Sequence, residues 1–288
     1  MAKTAKEFVE RSNLRGFLAI ARDWTAIVAI IAASEWLDSP VFYVAAVWLI
    51  GSFQFALSEA LMHEASHYNL FRTRALNDRM EFLFGLPFFR TVDQLRREHV
   101  VHHRRLGTPE DQLVADYEAM GLLRPDVNVF WIWFIRPILG YAGLYYVRAL
   151  LAGPWKGGRP IVVFWAVVLP VCYALGALDL LVLYWLIPFG WACSSFLYWS
   201  EITDHYRAPT GTRSSLGWLG NFLHHNNGYH YTHHHSPAIP WYRLPEATRE
   251  LFAGCGDVTY GFIDTYRAIT RSSAVDIHAP AAPPQPST

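Results

Sequence analysis

Cysteine is scarce in this chain, with only Cys172, Cys193 and Cys255 among 288 residues. The three lie far apart and form no CxxC pair, so the sequence supports neither a disulfide framework nor an iron–sulfur cluster. The chain also lacks a GxGxxG dinucleotide motif after a strand and a fused cytochrome-like haem pair. Any redox chemistry would therefore need a separate electron donor.

A net charge is also lacking, because 24 Lys and Arg residues balance 24 Asp and Glu residues. Nothing in this balance suggests a nucleic-acid partner. Charged residues make up only 17% of the chain, whereas hydrophobic residues make up 52% and the mean hydropathy is +0.14. The hydrophobic fraction and the mean hydropathy exceed the usual level of soluble proteins and indicate an integral membrane protein.

Four apolar stretches predict four transmembrane helices in two hairpins. The stretches are Phe17 to about Leu37, Val41 to about Leu61, Ile161 to Leu178, and Leu180 to Trp199. The first hairpin should turn at residues 38–40 and the second at Asp179. Arg22 and Asp23 interrupt the first helix near its inner end, where their side chains can pair or reach the headgroups.

The distribution of charge predicts how the chain is oriented. The segment Val129–Leu151 is apolar but carries Arg136 and Arg148, so we expect an interfacial or half-inserted helix there. Basic residues cluster before the first span and after the second, whereas the two hairpin turns carry no Lys or Arg. By the positive-inside rule, both termini and the histidine-rich region are predicted to be cytoplasmic.

Eight of the thirteen histidines fall into three short clusters. The clusters HEASH, HVVHH and HYTHH contribute His63 and His67, then His99, His102 and His103, and finally His230, His233 and His234. Residues three or four positions apart lie on one face of a helix, so each cluster can offer two or three imidazoles to a common centre. The pattern predicts a metal site.

The number of imidazoles indicates two metal ions. Imidazole binds iron, copper, zinc and nickel, so the residue type leaves the metal open. One zinc ion takes about four ligands, so eight histidines suit two ions better than one.

HEASH also resembles the HExxH motif of zinc proteases, with Glu64 as the base. That interpretation leaves HVVHH and HYTHH unexplained.

The three boxes resemble those of the membrane fatty acid desaturases. In this chain an HxxxH box follows the second predicted span, an HxxHH box comes next, and a late HxxHH box follows the fourth span. The resemblance covers about residues 15–250 and extends to SPAIPWYRLPE after the last box. Such desaturases often carry a further histidine just past the fourth helix. His205, in EITDHYR, occupies that place, so the resemblance implies a ninth ligand.

The resemblance implies an all-α integral membrane fold, with four transmembrane helices and interfacial helices capped by a cytoplasmic helical metal domain. The nine histidines would hold two iron ions. With O2 and electrons from a ferredoxin, a cytochrome b5 or a similar donor, the enzyme would form a double bond in an apolar acyl chain. One domain would cover residues 16–273, after a cytoplasmic segment at 1–15 and before a disordered tail at 274–288.

Several polar residues near the boxes are candidates for holding the imidazoles in one tautomer. These are Glu64, Asp93, Asp111, Asp204 and Asn227. His224, His225 and His235 flank the third box without completing its pattern, so they are left out of the ligand set.

The arginines around the second box, together with Arg207, Arg213 and Arg243, are candidates for docking an acidic electron donor. They could equally bind anionic lipid headgroups.

Three other functions remain open from the sequence. The same scaffold could give a hydroxylase or ketolase acting on an alkane, a lipid or a carotenoid. It could also give a desaturase of a small amino-acid-derived metabolite. A metal transporter is the alternative from a different class, but the boxes lie at or beyond helix ends, whereas a transport path should place ligands near mid-membrane.

Overall fold

The computed structural model describes residues 3–152 and 157–272, so the tail predicted at 274–288 lies outside the described residues. The described residues are mainly helical and form two compact units. The first, here called the helix unit, comprises residues 11–96 and 134–198. The second, here called the histidine unit, comprises the described residues of 1–10, 97–133 and 199–288.

Twelve longer helices and two short strands are numbered here in chain order. The helices are α1 Asn13–Leu37, α2 Pro40–Ser66, α3 Arg74–Arg79, α4 Val92–Arg105, α5 Gln112–Ala119, α6 Tyr141–Ala152, α7 Arg159–Ala174, α8 Leu178–His205, α9 Trp218–Leu223, α10 His230–His235, α11 Leu244–Leu251 and α12 Phe262–Arg271. Short helical turns cover Ala5–Phe8, Glu81–Leu83, Leu86–Phe88, Trp131–Ile135, Arg136–Ile138 and Trp241–Arg243. The strands β1 Arg213–Ser215 and β2 Asp257–Thr259 are parallel.

Three helices, α1, α2 and α8, are long and apolar enough to cross a membrane. They hold 25, 27 and 28 residues, and about 20 apolar residues suffice to span a bilayer. The helix α7 is apolar but has only 16 residues. Within the described residues, the structure therefore supports a membrane protein with three candidate spans, where the sequence predicts four.

The two hairpin turns differ in how well the sequence locates them. The first lies where it is predicted, with Asp38 in the left-handed region (φ 41°) and Pro40 opening α2. The prediction of a second turn at Asp179 is wrong, because α7 ends at Ala174 and Gly176 adopts a φ of 64°. Glycine takes this conformation without a steric cost, whereas Asp179 lies in the first turn of α8, where an acidic side chain is favourable.

The apolar segment Val129–Leu151 is not one helix. It divides into the turns Trp131–Ile135 and Arg136–Ile138, a break at Gly140 (φ 70°), and α6. Proline at 137 has no N–H to continue the backbone ladder. Carbonyl groups near the break are bound by side chains instead, since Trp191 donates to the carbonyl of Ile138 at 3.0 Å.

Close helix packing in the helix unit depends on small residues. A Cβ atom added at Gly51 of α2 would meet the Cβ of Ala192 and lie 2.7 Å from the backbone nitrogen of Cys193, both in α8. Small residues let membrane helices approach closely. The same pair of helices is joined by the buried Gln54, whose amide donates to the carbonyl of Trp185 at 3.0 Å.

In the histidine unit, the N-terminal segment packs on the chain that follows the third box. Phe8 is buried in a cluster with Ile239, Leu244 and Ala247. The strand pair β1–β2 departs from the all-α prediction. The guanidinium of Arg213 in β1 is fully buried and bonds the carboxylate of Asp257, the residue opposite it in β2, at 2.8 Å.

We expect the substitution Gly51→Leu to destabilise the protein, because the larger side chain must separate α2 from α8. Overpacking of this kind costs about 1–3 kcal/mol or more. The check is the thermal unfolding midpoint of the detergent-purified protein. Gly220→Ala in the exposed helix α9 is the matched control, because a Cβ there meets no atom within 4 Å. Equal midpoints for the two variants would contradict the packing described.

Candidate metal centre

The histidines of the three boxes all lie on or beside helices. HVVHH occupies the last two turns of α4, and HYTHH forms most of α10. HEASH ends α2, with His67 directly after its last residue, and His205 is the last residue of α8. All nine histidines predicted from the sequence are among the described residues.

One group in the histidine unit combines His102, His205, His230 and His234. Each can offer a ring nitrogen to a common centre, and these nitrogens lie within 4.8 Å of one another. The Nε2 atoms of His205 and His230 are 2.9 Å apart. Below, these residues are called the four-histidine group.

A second group in the same unit combines His99, His103 and His233, here called the three-histidine group. The Nε2 atom of His103 lies 2.9 Å from that of His99 and 3.0 Å from that of His233. The two groups are neighbours, because the ring centroids of His103 and His234 are 4.3 Å apart.

The second and third boxes are each divided between the two groups. On an α-helix successive residues are about 100° apart, so residues four apart nearly align, whereas adjacent residues diverge. His99 and His103 therefore point one way along α4, while His102 joins the other group. On α10, likewise, His230 and His234 separate from His233.

The helix unit contains the pair His63 and His67, whose ring centroids are 5.0 Å apart. Arg96 fixes the turn that carries them. Its guanidinium donates to the carbonyl of Ser66 at 2.9 Å and binds the carboxylate of Asp78 at 2.6 Å. Burial, and secondarily the charge of Arg96, lowers the pKa of His67 to about 4, so its imidazole is neutral at pH 7.

In the four-histidine group, the outer ring nitrogens face hydrogen-bond acceptors. His205 Nδ1 lies 2.9 Å from the carbonyl oxygen of Gly211, which can only accept, so Nδ1 carries the proton. His102 Nδ1 lies 3.1 Å from the carboxylate of Asp111. Burial alone would raise the pKa of Asp111, but its hydrogen bonds with His102 and with backbone N–H groups lower it. In both imidazoles Nδ1 is therefore engaged outside the group, which leaves Nε2 as the nitrogen available to a metal ion.

The donor set fits a metal ion. With bonds of about 2.1 Å, two nitrogens on one ion lie about 3 Å apart, close to the distances seen here. Lone pairs at such a distance repel each other unless a cation or a proton lies between them. Within the described residues the buried Nε2 of His234 has no hydrogen-bond partner. Burial, with secondary effects from His230 and His103, also holds the pKa of His234 well below its usual range, which keeps the ring neutral.

The five polar residues predicted to orient the imidazoles have different positions. Asp111 contacts His102 directly, whereas the carboxylate of Asp204 is 3.8 Å from His230 Nδ1. Asn227 reaches Asp204 only through Ser200, because its amide donates to the Ser200 hydroxyl, which in turn donates to the carboxylate of Asp204. The remaining two lie in the helix unit. These are Glu64, which is buried in α2, and Asp93, which is exposed in the first turn of α4.

The prediction that Arg213 docks a partner is wrong, because this side chain is fully buried. Its guanidinium donates to the carbonyls of Thr203, Tyr206 and Arg207 at 2.9 to 3.2 Å. A cation is favourable at the C-terminal end of a helix, and here it fixes the end of α8 that carries His205.

The sequence did not indicate the role of Gly211 and Arg213, two residues that position His205. The carbonyl of Gly211 leaves no mark in the sequence, because every residue has one. Arg213 was noticed as a basic residue near the boxes, but nothing in its neighbours distinguishes a buried arginine from an exposed one.

The sequence matches the fatty acid desaturase family over residues 38–266. It is 28% identical to the dihydrorhizobitoxine desaturase of Bradyrhizobium elkanii over 274 residues, which cover 82% of this chain and 75% of that relative. It is 24% identical to an endoplasmic reticulum omega-3 fatty acid desaturase of Vigna radiata var. radiata, with 86% and 74% covered. A beta-carotene ketolase of Paracoccus sp. (strain N81106 / MBIC 01143) is 30% identical over 51% of this chain and 54% of its own length.

We expect Asp111→Asn to weaken metal binding about 10- to 100-fold, because a neutral amide oxygen accepts the N–H at His102 Nδ1 more weakly than the carboxylate does. The measurement is the metal retained by the purified protein against increasing chelator. Asp126→Asn is the control, since Asp126 is exposed and pairs only with the nearby Arg124 in the contacts described. Equal retention by the two variants would show that Asp111 does not orient His102.

Proposed function

Because this chain belongs to the fatty acid desaturase family, we propose that it is an O2-dependent di-iron desaturase of the membrane. The family makes it an oxidoreductase, and its apolar helices make it a membrane protein. The observation that carries the proposal is the pair of adjacent histidine groups, each with converging ring nitrogens. Two neighbouring metal positions are what a di-iron enzyme requires.

The proposed ligands are the nine histidines of the sequence prediction. They are His63, His67, His99, His102, His103, His205, His230, His233 and His234. In support, seven of them form the two groups of the histidine unit, and the pKa of His67 in the helix unit is low enough to leave a neutral imidazole. Imidazole suits iron but does not select it.

Bound iron would supply the oxidising power to remove hydrogen from an unactivated C–H bond, which side chains alone cannot do. In the proposed reaction O2 takes two hydrogens from neighbouring methylenes, together with two electrons and two protons, and gives one double bond and two molecules of water. The protein orients two of the imidazoles, through Asp111 and the carbonyl of Gly211.

The electrons are proposed to come from a separate ferredoxin, cytochrome b5 or similar donor. Arg97, Arg104 and Arg105 are exposed on α4 beside the second box, which supports an acidic partner. We further propose that α7 is a fourth membrane crossing and that the termini and the metal site are cytoplasmic, as the basic residues indicate.

The proposed substrate is a fatty-acyl or similar aliphatic chain. This choice rests on the family and on relatives named as desaturases. The similarity to a beta-carotene ketolase keeps oxygen insertion on the same scaffold as the alternative outcome.

We expect His234→Ala to lose bound iron and activity together. His235→Ala is the matched control, because His235 Nδ1 donates to the carbonyl of Tyr231 at 2.8 Å and its ring stacks on Tyr231. The measurements are the iron content of the detergent-purified proteins and the lipids and small metabolites of a host expressing each version.

Two irons per chain and a new unsaturated product, both lost only in His234→Ala, would agree with the proposal. Iron with a hydroxylated or ketone product would move the assignment to a hydroxylase or ketolase. One zinc ion, or no bound metal in the wild type, would contradict a di-iron centre.

A further inference from the structure

The histidine unit exposes large apolar side chains on two adjoining elements. Trp218, Leu219 and Phe222 of α9 are exposed by 77%, 52% and 64%. Tyr260, two residues before α12, is exposed by 72%, and Ile263, in its first turn, is exposed by 50%. Phe262 lies between these two and is also exposed. Together these six side chains are called the apolar face.

The two elements form one surface. The backbone N–H of Leu216 donates to the carbonyl of Thr259 at 2.7 Å, just before both exposed segments. Gly217 packs against Gly261 so closely that a Cβ on Gly217 would lie 3.1 Å from the Cα of Gly261. Side chains from α9 and from the start of α12 therefore present one continuous apolar area.

We infer that the apolar face inserts into the bilayer surface as a membrane anchor of the histidine unit. The face is continuous with the end of a candidate membrane span. Phe262 contacts Trp199 of α8, with ring centroids 5.3 Å apart, and Trp133, at 4.7 Å. The Trp199 indole donates to the carbonyl of Trp133 at 2.8 Å, and the nearby Trp131 is also exposed.

The composition of the face fits a lipid surface better than a second protein. Residues 216–223 and 259–263 carry no charge, and Trp and Tyr are enriched where membranes meet water. Asp264 follows directly, but its carboxylate accepts the N–H of Tyr260 at 2.9 Å. Further along α12, Arg267 and Arg271 are exposed four and eight residues after Ile263, on nearly the same side of the helix, where their long side chains can reach lipid headgroups.

The anchor is tied to the third histidine box. Asn221 is buried at the centre of α9, and its amide donates to the carbonyls of Ser215 and Gly217 at 2.9 Å. Its side-chain oxygen accepts the N–H of Gly228 at 3.1 Å, two residues before His230. Insertion of α9 would therefore fix the height of the third box relative to the lipid headgroups.

Site-specific fluorescence in lipid nanodiscs tests the inference with the full chain. An environment-sensitive label is attached at Phe222→Cys or at Ile263→Cys, after Cys172→Ala and Cys255→Ser remove the more accessible native thiols. Glu250→Cys is the control position, since Glu250 is exposed on α11 and pairs with Lys3. The labels are quenched by iodide in water or by nitroxide lipids in the bilayer, and the thermal unfolding midpoint checks that each variant is folded.

We expect labels at 222 and 263 to emit at shorter wavelength than the label at 250, to resist iodide and to be quenched by nitroxide lipids. Iodide quenching equal to that at position 250 would overturn the inference. Protection from both quenchers in a protein of dimeric mass would overturn it in favour of a second copy. The outcome is independent of the proposed reaction, because neither position nor readout involves the metal.

Discussion

An imidazole binds a metal ion only through a nitrogen that carries no proton, and the candidate centre depends on this condition. Burial lowers the pKa of His234 and keeps that ring neutral, and an acceptor at Nδ1 decides which nitrogen keeps the proton. The carbonyl of Gly211 does this for His205, and Asp111 does it for His102. Arg213 acts indirectly, because it binds the backbone carbonyls of Thr203 and Arg207 on either side of His205.

The helical repeat turns the three boxes into two groups. Adjacent histidines on a helix point about 100° apart, so His102 and His103 serve different groups, as do His233 and His234. This sharing makes the two groups neighbours and couples their geometry. A shift of α4 or α10 would disturb both groups at once, and Asn221 holds the segment just before α10 by accepting the N–H of Gly228.

The membrane imposes a second constraint, since polar backbone groups in lipid must find partners within the protein. In the helix unit, three indoles bind backbone carbonyls. Trp24, Trp165 and Trp185 donate to the carbonyls of Leu83, Leu86 and Pro87, in the helical turns between α3 and α4. On the apolar face, Trp218 and Tyr260 likewise combine an apolar ring with an N–H or O–H group that can remain hydrated.

The sequence alone predicted the membrane class, the first hairpin and the three boxes, because hydropathy and helical spacing are local properties, whereas His205 was predicted from the resemblance to the desaturases. Only the tertiary structure decided how the boxes divide, that α7 is short and turns at Gly176, and that Arg213 is buried. It also revealed the β1–β2 pair and the carbonyl of Gly211 as a partner of His205. These features depend on contacts between residues distant in sequence or on backbone groups that all residues share. A one-dimensional pattern cannot encode them, since the direction of a side chain is fixed only when its helix has packed.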